Sequence, residues 1–179
     1  MKSPQWEALD ISVKTDSKLG HHIDRNVSKR VLDFIFAMLG LILLLPLLIL
    51  CALLACIQSP GPVFYRAKRV GRNGRVFEMY KFRTMVVNAD SLGTSLTTYG
   101  DSRITKLGCF LRWTKWDEIP QFFNVIKGDM SIIGPRPEAP AYVQYYTEGQ
   151  KQVLQVRPGI TGPAQIANRD EEEKLKGQA

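Results

Sequence analysis

The rhythm of apolar and polar positions changes twice along this chain. From Met1 to Ser28 the residues are polar and show no clear period, which predicts a loosely ordered tail. From Phe34 to Ile57 the rhythm gives way to one apolar run, FIFAMLGLILLLPLLILCALLACI, with no charged side chain. As a helix it extends roughly 36 Å at 1.5 Å per residue, enough for a bilayer core of about 30 Å. A helix apolar on every side at that length is a poor fit to a soluble core. A cleaved secretory leader is also a poor fit, because its apolar region is shorter and begins nearer the N-terminus. QSPGP (58–62) then ends the helix with two prolines and a glycine. Within VFYRAKRVGRNGRVFEMYKF (63–82), β-rich runs flank Asn73-Gly74 and predict a hairpin.

Past the hairpin the pattern turns helical. NADSLGTSLTTYGDS (88–102) reads as a surface loop. Residues 103–116 predict a helix with Ile104, Leu107, Phe110 and Leu111 on one side. A second helix runs from near Asp117 to Lys127 and stops at Gly128. GDMSIIGPRPEAP is a short apolar piece entering a proline-rich loop, 139–155 reads as another helix, and VRPGITG as a tight turn. The final NRDEEEKLKGQA is strongly charged, helical or frayed. No repeat or low-complexity tract is visible. The 179 residues suffice for one domain and an appendage.

Charge sharpens the membrane reading. The net charge of +7 favours anionic partners. Lys18, Arg25, Lys29 and Arg30 precede the apolar run, and Arg66, Lys68, Arg69, Arg72 and Arg75 follow it. Basic flanks favour the cytoplasmic side, and a single straight span can satisfy only one of two basic ends. Pro46, with Gly40 ahead of it, marks a place for the helix to bend. Two readings stand: a re-entrant helix-break-helix that enters and leaves by the cytoplasmic face, or a spanning helix with a tolerated proline kink. Cys51, Cys56 and Cys109 form no C-x-x-C pair, which argues against structural zinc and a disulfide framework and suits a reducing compartment. No nucleic-acid-binding signature is present.

Against this basic background WDEIPQ (116–121) sets Asp117 beside Glu118. Pro120 is tolerated in a helix's first turn, which predicts Asp117 at or near the N-cap and Glu118 at the first helical position. The positive end of the helix would keep Asp117 ionised, as a carboxylate nucleophile requires, and would favour phosphate. Carboxylate and phosphate still repel. Mg²⁺ offsets that where one or two carboxylates share it with substrate phosphates. Arginine offers a planar fork, here Arg112 and Arg136, the latter stiffened between Pro135 and Pro137. An adjacent acid pair also arises as a helix cap with a solvated neighbour. Both readings stand on these residues alone.

The segments KRVLDF (29–34), SPGPVFYRAKRVGRNGRVFEMYKFRTM (59–85), DSRITKLGCFLRWTKWDEIPQFFNVIKGDMSIIGPRPE (101–138) and RPGITG (157–162) resemble, in order, the bacterial sugar transferases. These are the monotopic polyprenol-phosphate phosphoglycosyl transferases. The resemblance implies an α+β, mostly helical fold: a polar tail (1–28), a re-entrant membrane helix-break-helix (29–58), and a cytoplasmic catalytic domain (59–179) with a short β-hairpin at the membrane face. It implies transfer of a phosphosugar from a UDP-sugar to undecaprenyl phosphate at the inner membrane, with release of UMP, through a covalent aspartyl intermediate. The product starts a surface glycan. On that resemblance Asp117 matches the nucleophile and Mg²⁺ ligand, and Glu118 its dyad partner. Arg112 and Arg136 match phosphate-site positions. Lys81, Arg83 and Arg157 fall in motifs of the same site, while Lys29, Arg30 and Pro46 match the membrane segment. Inner-membrane phospholipid and downstream glycosyltransferases are the implied partners, with no nucleic acid. The sequence departs from the family pattern at Leu45-Pro46, where small members often have Ser-Pro, at Pro163, where Trp is common, and in ending soon after NRDEEE. A non-catalytic, membrane-anchored adaptor that binds acidic lipid or a partner enzyme is the alternative from another class.

Overall fold

The structure, a computed structural model, describes residues 27–58, 60–89 and 101–167. The tail before Val27, most of the 88–102 loop and the charged segment after Ala167 lie outside the described residues. The apolar run forms one helix, α1 (Val27–Gln58), with Pro46 inside it. The hairpin follows as β1 (Phe64–Val70) and β2 (Val76–Phe82), antiparallel. A tight helical turn at Arg72–Gly74 joins them, with Asn73 at φ 56°. Helix α2 (Lys106–Thr114) begins at Thr105, whose hydroxyl accepts the Gly108 N–H and so satisfies one donor of the first turn. Helix α3 (Gln121–Lys127) ends at Gly128, as its glycine predicts, with φ 95°. The molecule is therefore mixed helix and sheet, mostly helical, with one long apolar helix and a small antiparallel hairpin.

Two expectations need correction. Residues 139–155 form no single helix. They divide into α4 (Pro140–Val143), α5 (Glu148–Lys151) and a 3-10 turn (Gln152–Gln155). VRPGITG holds a strand, β4 (Gly159–Thr161), paired in parallel with β3 (Ser131–Ile133). Gly159 is required there, because a side chain would run into the backbone of Gly134. A short last helix, α6, spans Pro163–Ala167.

The core is shared between α1 and the rest of the chain. Ala37 packs with Ala67, Met79, Val125 and Met130, and Leu48 and Cys51 pack with Phe82 and Leu111. Helix α1 is thus docked from Asp33 to Ala55, which is roughly 33 Å of its length at 1.5 Å per residue. A polar clasp fixes its first turns. Asp33 accepts the Ser131 hydroxyl at 2.8 Å and the Ile132 N–H at 3.0 Å. Lys29 reaches Ser131 and the Ile133 carbonyl, and Arg30 donates to the Ile126 carbonyl at 3.0 Å. The basic pair of KRVLDF therefore binds the domain itself. The opposite side of α1 leaves Ile35, Leu39, Ile42, Leu43, Leu50 and Leu53 exposed, and an exposed apolar surface of that extent marks a membrane or partner contact.

Candidate active site

The acid pair sits at a corner between two helices. Lys115, in the left-handed conformation at φ 61°, ends α2, and Trp116–Glu118 form one 3-10 turn before Pro120 leads into α3. The N-cap of α3 is Pro120, so Glu118 is not its first helical residue, and Asp117 stands near the N-cap rather than at it. It lies within the tight turn, only 7% exposed, and its Oδ1 is buried with no hydrogen-bond partner.

The hairpin supplies the opposing wall. In the ladder Tyr65 faces Lys81, Ala67 faces Met79, and Arg69 faces Phe77. Directly opposed residues share one side of a sheet, so Tyr65, Arg69 and Lys81 point the same way. Lys81 Nζ meets Glu118 Oε1 at 2.7 Å, and Arg136 approaches the same oxygen at 3.8 Å. Buried Asn124 holds the hairpin against α3: its Oδ1 accepts the Tyr80 N–H at 3.0 Å and its Nδ2 donates to the Glu78 carbonyl at 2.7 Å.

Arg136 is positioned by its backbone. The Gly159 N–H donates to the Pro135 carbonyl at 2.8 Å, and the Val70 N–H donates to the Glu138 carbonyl at 2.9 Å. The Pro-Arg-Pro loop is thereby held on both sides. Arg112, in the last turn of α2, donates from Nε to Thr84 Oγ1 at 3.0 Å. Arg83 lies at the end of α1, near the Ala55 and Pro60 carbonyls, both at 3.5 Å. Together these groups line one cleft of about 460 Å³ with Asp117 and Glu118 on its wall.

The two carboxylates differ in character. Burial pushes the Asp117 carboxyl above its ordinary range. The cations Lys81, Arg112 and Lys115 pull it down, Glu118 opposes them, and burial prevails. Burial acts on Glu118 too, but there the charge and hydrogen bond of Lys81, with Arg136 and Lys115, outweigh it and hold the carboxyl below its ordinary range. Glu118 is the fixed anion of the pair, whereas Asp117, expected to be kept ionised by a helix N-terminus, is instead pushed toward its neutral form by burial.

The structure brings Asp117, Glu118, Lys81, Arg83, Arg112 and Arg136 together, but not Arg157. Arg157 donates from Nε to the Gly128 carbonyl at 3.1 Å and lines a separate depression with Arg72, Arg75 and Lys127. The sequence reading missed Arg69, Thr84, Arg103 and Lys115, which all line the cleft. Arg103 grips Asp101 through Nε and Nη2 and the Ala89 carbonyl through Nη1. Its hydrogen bonds hold Asp101 down at about 2. Among the described residues no group of three acidic, histidine or cysteine side chains could hold a metal. The unpartnered Asp117 oxygen nevertheless fits Mg²⁺, which commonly takes one or two carboxylates and completes its shell with water and substrate phosphates.

An acid pair framed by cations, next to a docked apolar helix, defines a membrane-associated domain equipped to handle a polyanion. The family model for bacterial sugar transferases matches residues 24–178, and the chain belongs to that family. It is 42% identical over 143 residues to the UDP-N-acetylgalactosamine-undecaprenyl-phosphate N-acetylgalactosaminephosphotransferase of Aeromonas hydrophila, covering 78% of this chain and 34% of that one. It is 46% identical over 145 residues to the UDP-glucose:undecaprenyl-phosphate glucose-1-phosphate transferase of Xanthomonas campestris, covering 78% and 30%. It is 37% identical over 160 residues to the exopolysaccharide production protein ExoY of Sinorhizobium fredii, covering 81% and 71%. The chain thus spans only about a third of the first two relatives.

Proposed function

We propose that this protein is a membrane-bound phosphoglycosyl transferase. It moves the phosphosugar of a UDP-sugar to undecaprenyl phosphate and releases UMP, the first step of a bacterial surface glycan. The observation that carries this reading is the pairing of a buried, unpartnered Asp117 oxygen with a Glu118 already neutralised by Lys81 and Arg136. Of the two carboxylates Asp117 gives up no protein hydrogen bond at Oδ1 when it attacks, whereas Glu118 would have to leave Lys81. An Asp117 oxygen attacks the phosphorus that bears the sugar, the bond from that phosphorus to the bridging oxygen breaks, and UMP departs with the electron pair. An oxygen of the lipid phosphate then attacks the same phosphorus and frees the Asp117 carboxylate. Arg112 and Arg136 stabilise the charge on the phosphoryl oxygens, where preorganised donors contribute most. Asp117 is the residue that would hold Mg²⁺, which when bound would supply positive charge against the substrate phosphates.

Purified protein given UDP-glucose or UDP-N-acetylgalactosamine with undecaprenyl phosphate and Mg²⁺ is expected to release UMP. Asp117→Asn should lose turnover by a factor of about 10³ or more. The variant should also melt at a higher temperature at pH 7, since it removes a carboxylate whose ionised form the fold disfavours. Wild-type turnover in Asp117→Asn would eliminate the nucleophile assignment. Failure of the native protein with both sugar nucleotides would favour the adaptor.

The same reading makes α1 re-entrant, with both ends on the cytoplasmic side of the inner membrane. Support comes from its docking: a helix joined to one polar domain from Asp33 to Ala55 cannot cross the bilayer without drawing that domain in. A cysteine introduced ahead of Val27 should react with an impermeant thiol reagent from the same side as the exposed Cys109. Labelling from opposite sides would refute the topology.

A further inference from the structure

The cations that lie outside the cleft gather on another face. In the ladder Arg66 faces Tyr80, Lys68 faces Glu78 and Val70 faces Val76, so these residues share the side of the hairpin opposite Lys81. At the turn this side runs into an open depression of about 760 Å³, whose lining includes Arg72, Arg75, Lys127 and Arg157. The acids that line it are Glu78 and Asp129. Each already meets a cation: Arg66 lies 3.5 Å from Glu78, and Lys127 lies 3.4 Å from Asp129. The cations outnumber these acids, and the exposed Arg75 side chain forms no ion pair or hydrogen bond among the described residues. The face therefore keeps an excess of positive charge that the reaction in the cleft does not use.

This face borders the apolar helix at two places. In the depression the Gly128 carbonyl accepts Arg157 Nε at 3.1 Å, and the Arg30 guanidinium of α1 lies against the same glycine. Arg30 directly precedes Val31 and Leu32, which are exposed and apolar. At the open end of the ladder Phe64 stacks on Phe82 with ring centroids 5.4 Å apart, and Phe82 packs with Leu48 and Cys51 of α1. The alternation of the strand puts Phe64 and Phe82 on the same side as Arg66. The basic side of the hairpin thus meets, at both of its ends, the helix whose outer side is apolar. Its cations do not converge on one point. Arg66 and Val70 are roughly 13 Å apart along the strand, and the turn with Arg72 and Arg75 lies beyond. A small soluble anion is held by donors that converge on it. A spread of cations beside an apolar helix suits an array of headgroup phosphates instead.

We propose that this face, from Arg66 and Lys68 through Arg72 and Arg75 to Arg157, binds the headgroups of anionic phospholipids beside α1. The inference rests on α1 lying in the membrane. It holds for a re-entrant or a spanning α1 alike, and it is independent of the transferase chemistry. Each cation close to an anionic bilayer strengthens the attraction about fivefold. The full chain in uncharged detergent micelles, titrated with phosphatidylglycerol or with phosphatidylcholine, tests it through the melting temperature and through mass spectrometry of the lipid retained. Phosphatidylglycerol should be retained and should raise the melting temperature, and phosphatidylcholine should do neither to a comparable degree. Combining Arg66→Gln, Lys68→Gln and Arg75→Gln should raise the phosphatidylglycerol concentration at half effect about tenfold or more. Arg75→Gln alone, at an exposed position, should raise it about threefold to fivefold, and it serves as the test where the combined variant does not fold. Added salt should weaken the effect in the native protein. An unchanged response to phosphatidylglycerol in a native-like variant would overturn the proposal, as would equal responses to the two lipids. The same response to free glycerol phosphate or inorganic phosphate at matched concentration would assign the face to a soluble anion. A response to polyglutamate without one to phosphatidylglycerol would assign it to an acidic protein. Either result overturns the lipid reading, and neither touches the transferase, which UMP release measures separately.

Discussion

Replacing Lys81 with methionine keeps the length of the side chain and deletes its charge. The loss falls mainly on Glu118, whose Oε1 is 2.7 Å from Lys81 Nζ, with side chains only 18% and 16% exposed. Removing one partner of a fully buried pair costs about 3–5 kcal/mol. Partial exposure and the remaining Arg136, 3.8 Å away, reduce that, so we expect about 2 kcal/mol. For a chain of this size the melting temperature should fall by about 4–8 °C at pH 7. The sign with pH follows from the depressed Glu118 carboxyl. Its contribution is present above the unfolded value, near 4.5, and is lost as pH falls through the folded value. The gap between native protein and Lys81→Met should therefore be full at pH 7 and close in acid. Activity gives an independent readout. Burial raises Asp117, and Lys81 is the first of the cations opposing it. Its removal should move the acidic limb of the kcat/KM profile to higher pH. Thermal melts in detergent from pH 3.5 to 8 and a pH series of UMP release would measure both effects. Equal melting temperatures at pH 7 together with an unmoved acidic limb would show that the Lys81–Glu118 contact is a solvated surface pair, and the charge argument would fail.

Two further substitutions probe what holds the cleft in shape. Asp33→Ala strands the Ile132 N–H and takes one acceptor from the Ser131 hydroxyl, which keeps the Ile133 carbonyl. It should cost about 1–3 kcal/mol and lower turnover by loosening α1. Asp33→Asn, which keeps an acceptor, should recover part of both in melts and UMP assays, and a silent Asp33→Ala would show that the clasp is dispensable. Gly108→Ala would ordinarily stabilise a helix by up to about 1 kcal/mol. Here the added carbon meets the Thr84 carbonyl, so the variant should melt lower and lose activity through the Arg112–Thr84 contact, and a raised melting temperature would contradict this packing.

How far the fold was legible depended on whether local chemistry or distant pairing decided each element. The apolar run, the Asn73-Gly74 hairpin and the Gly128 stop are local signals, and each appears in the structure. The long helix over 139–155 was overridden by another local signal. Thr147 and Gln150 form a capping box, each side chain bonding the other's backbone N–H, which starts a new helix at Glu148. That Thr-x-x-Gln spacing was readable. Strand β4 was not, since its partner Ser131–Ile133 lies far away in sequence and the pairing needs two glycines to pass closely. Arg69 was lost to register. A two-residue Asn-Gly turn would set Arg66 opposite Lys81, whereas the actual ladder sets Tyr65 there, with the Gly71 N–H bonded to the Arg75 carbonyl across the turn. A shift of one residue exchanges the two faces of a strand. It takes Arg66 and Lys68 out of the cleft and brings Arg69 in. Arg157 shows the converse: it lies in a motif of the site in sequence, and on the depression behind the hairpin in space.

The docking of α1 bears on the reaction as well as on the fold. Its buried residues Asp33, Ala37, Leu48, Cys51 and Ala55 form a stripe at helical spacing, so the exposed apolar side faces away from the domain along the whole contact. On the proposed topology that side lies in lipid and the domain rests on the bilayer surface. One buried carboxylate, Asp117, lies on the wall of the cleft. A direct transfer would require both substrates to crowd their phosphates around it at once, three like-charged groups with Glu118 already present. A two-step transfer lets UMP leave toward water before the lipid phosphate arrives from the membrane side, so the cations of the cleft answer one substrate's charge at a time. On the proposed transferase reading, this charge argument is what supports the covalent route, independently of which sugar is carried.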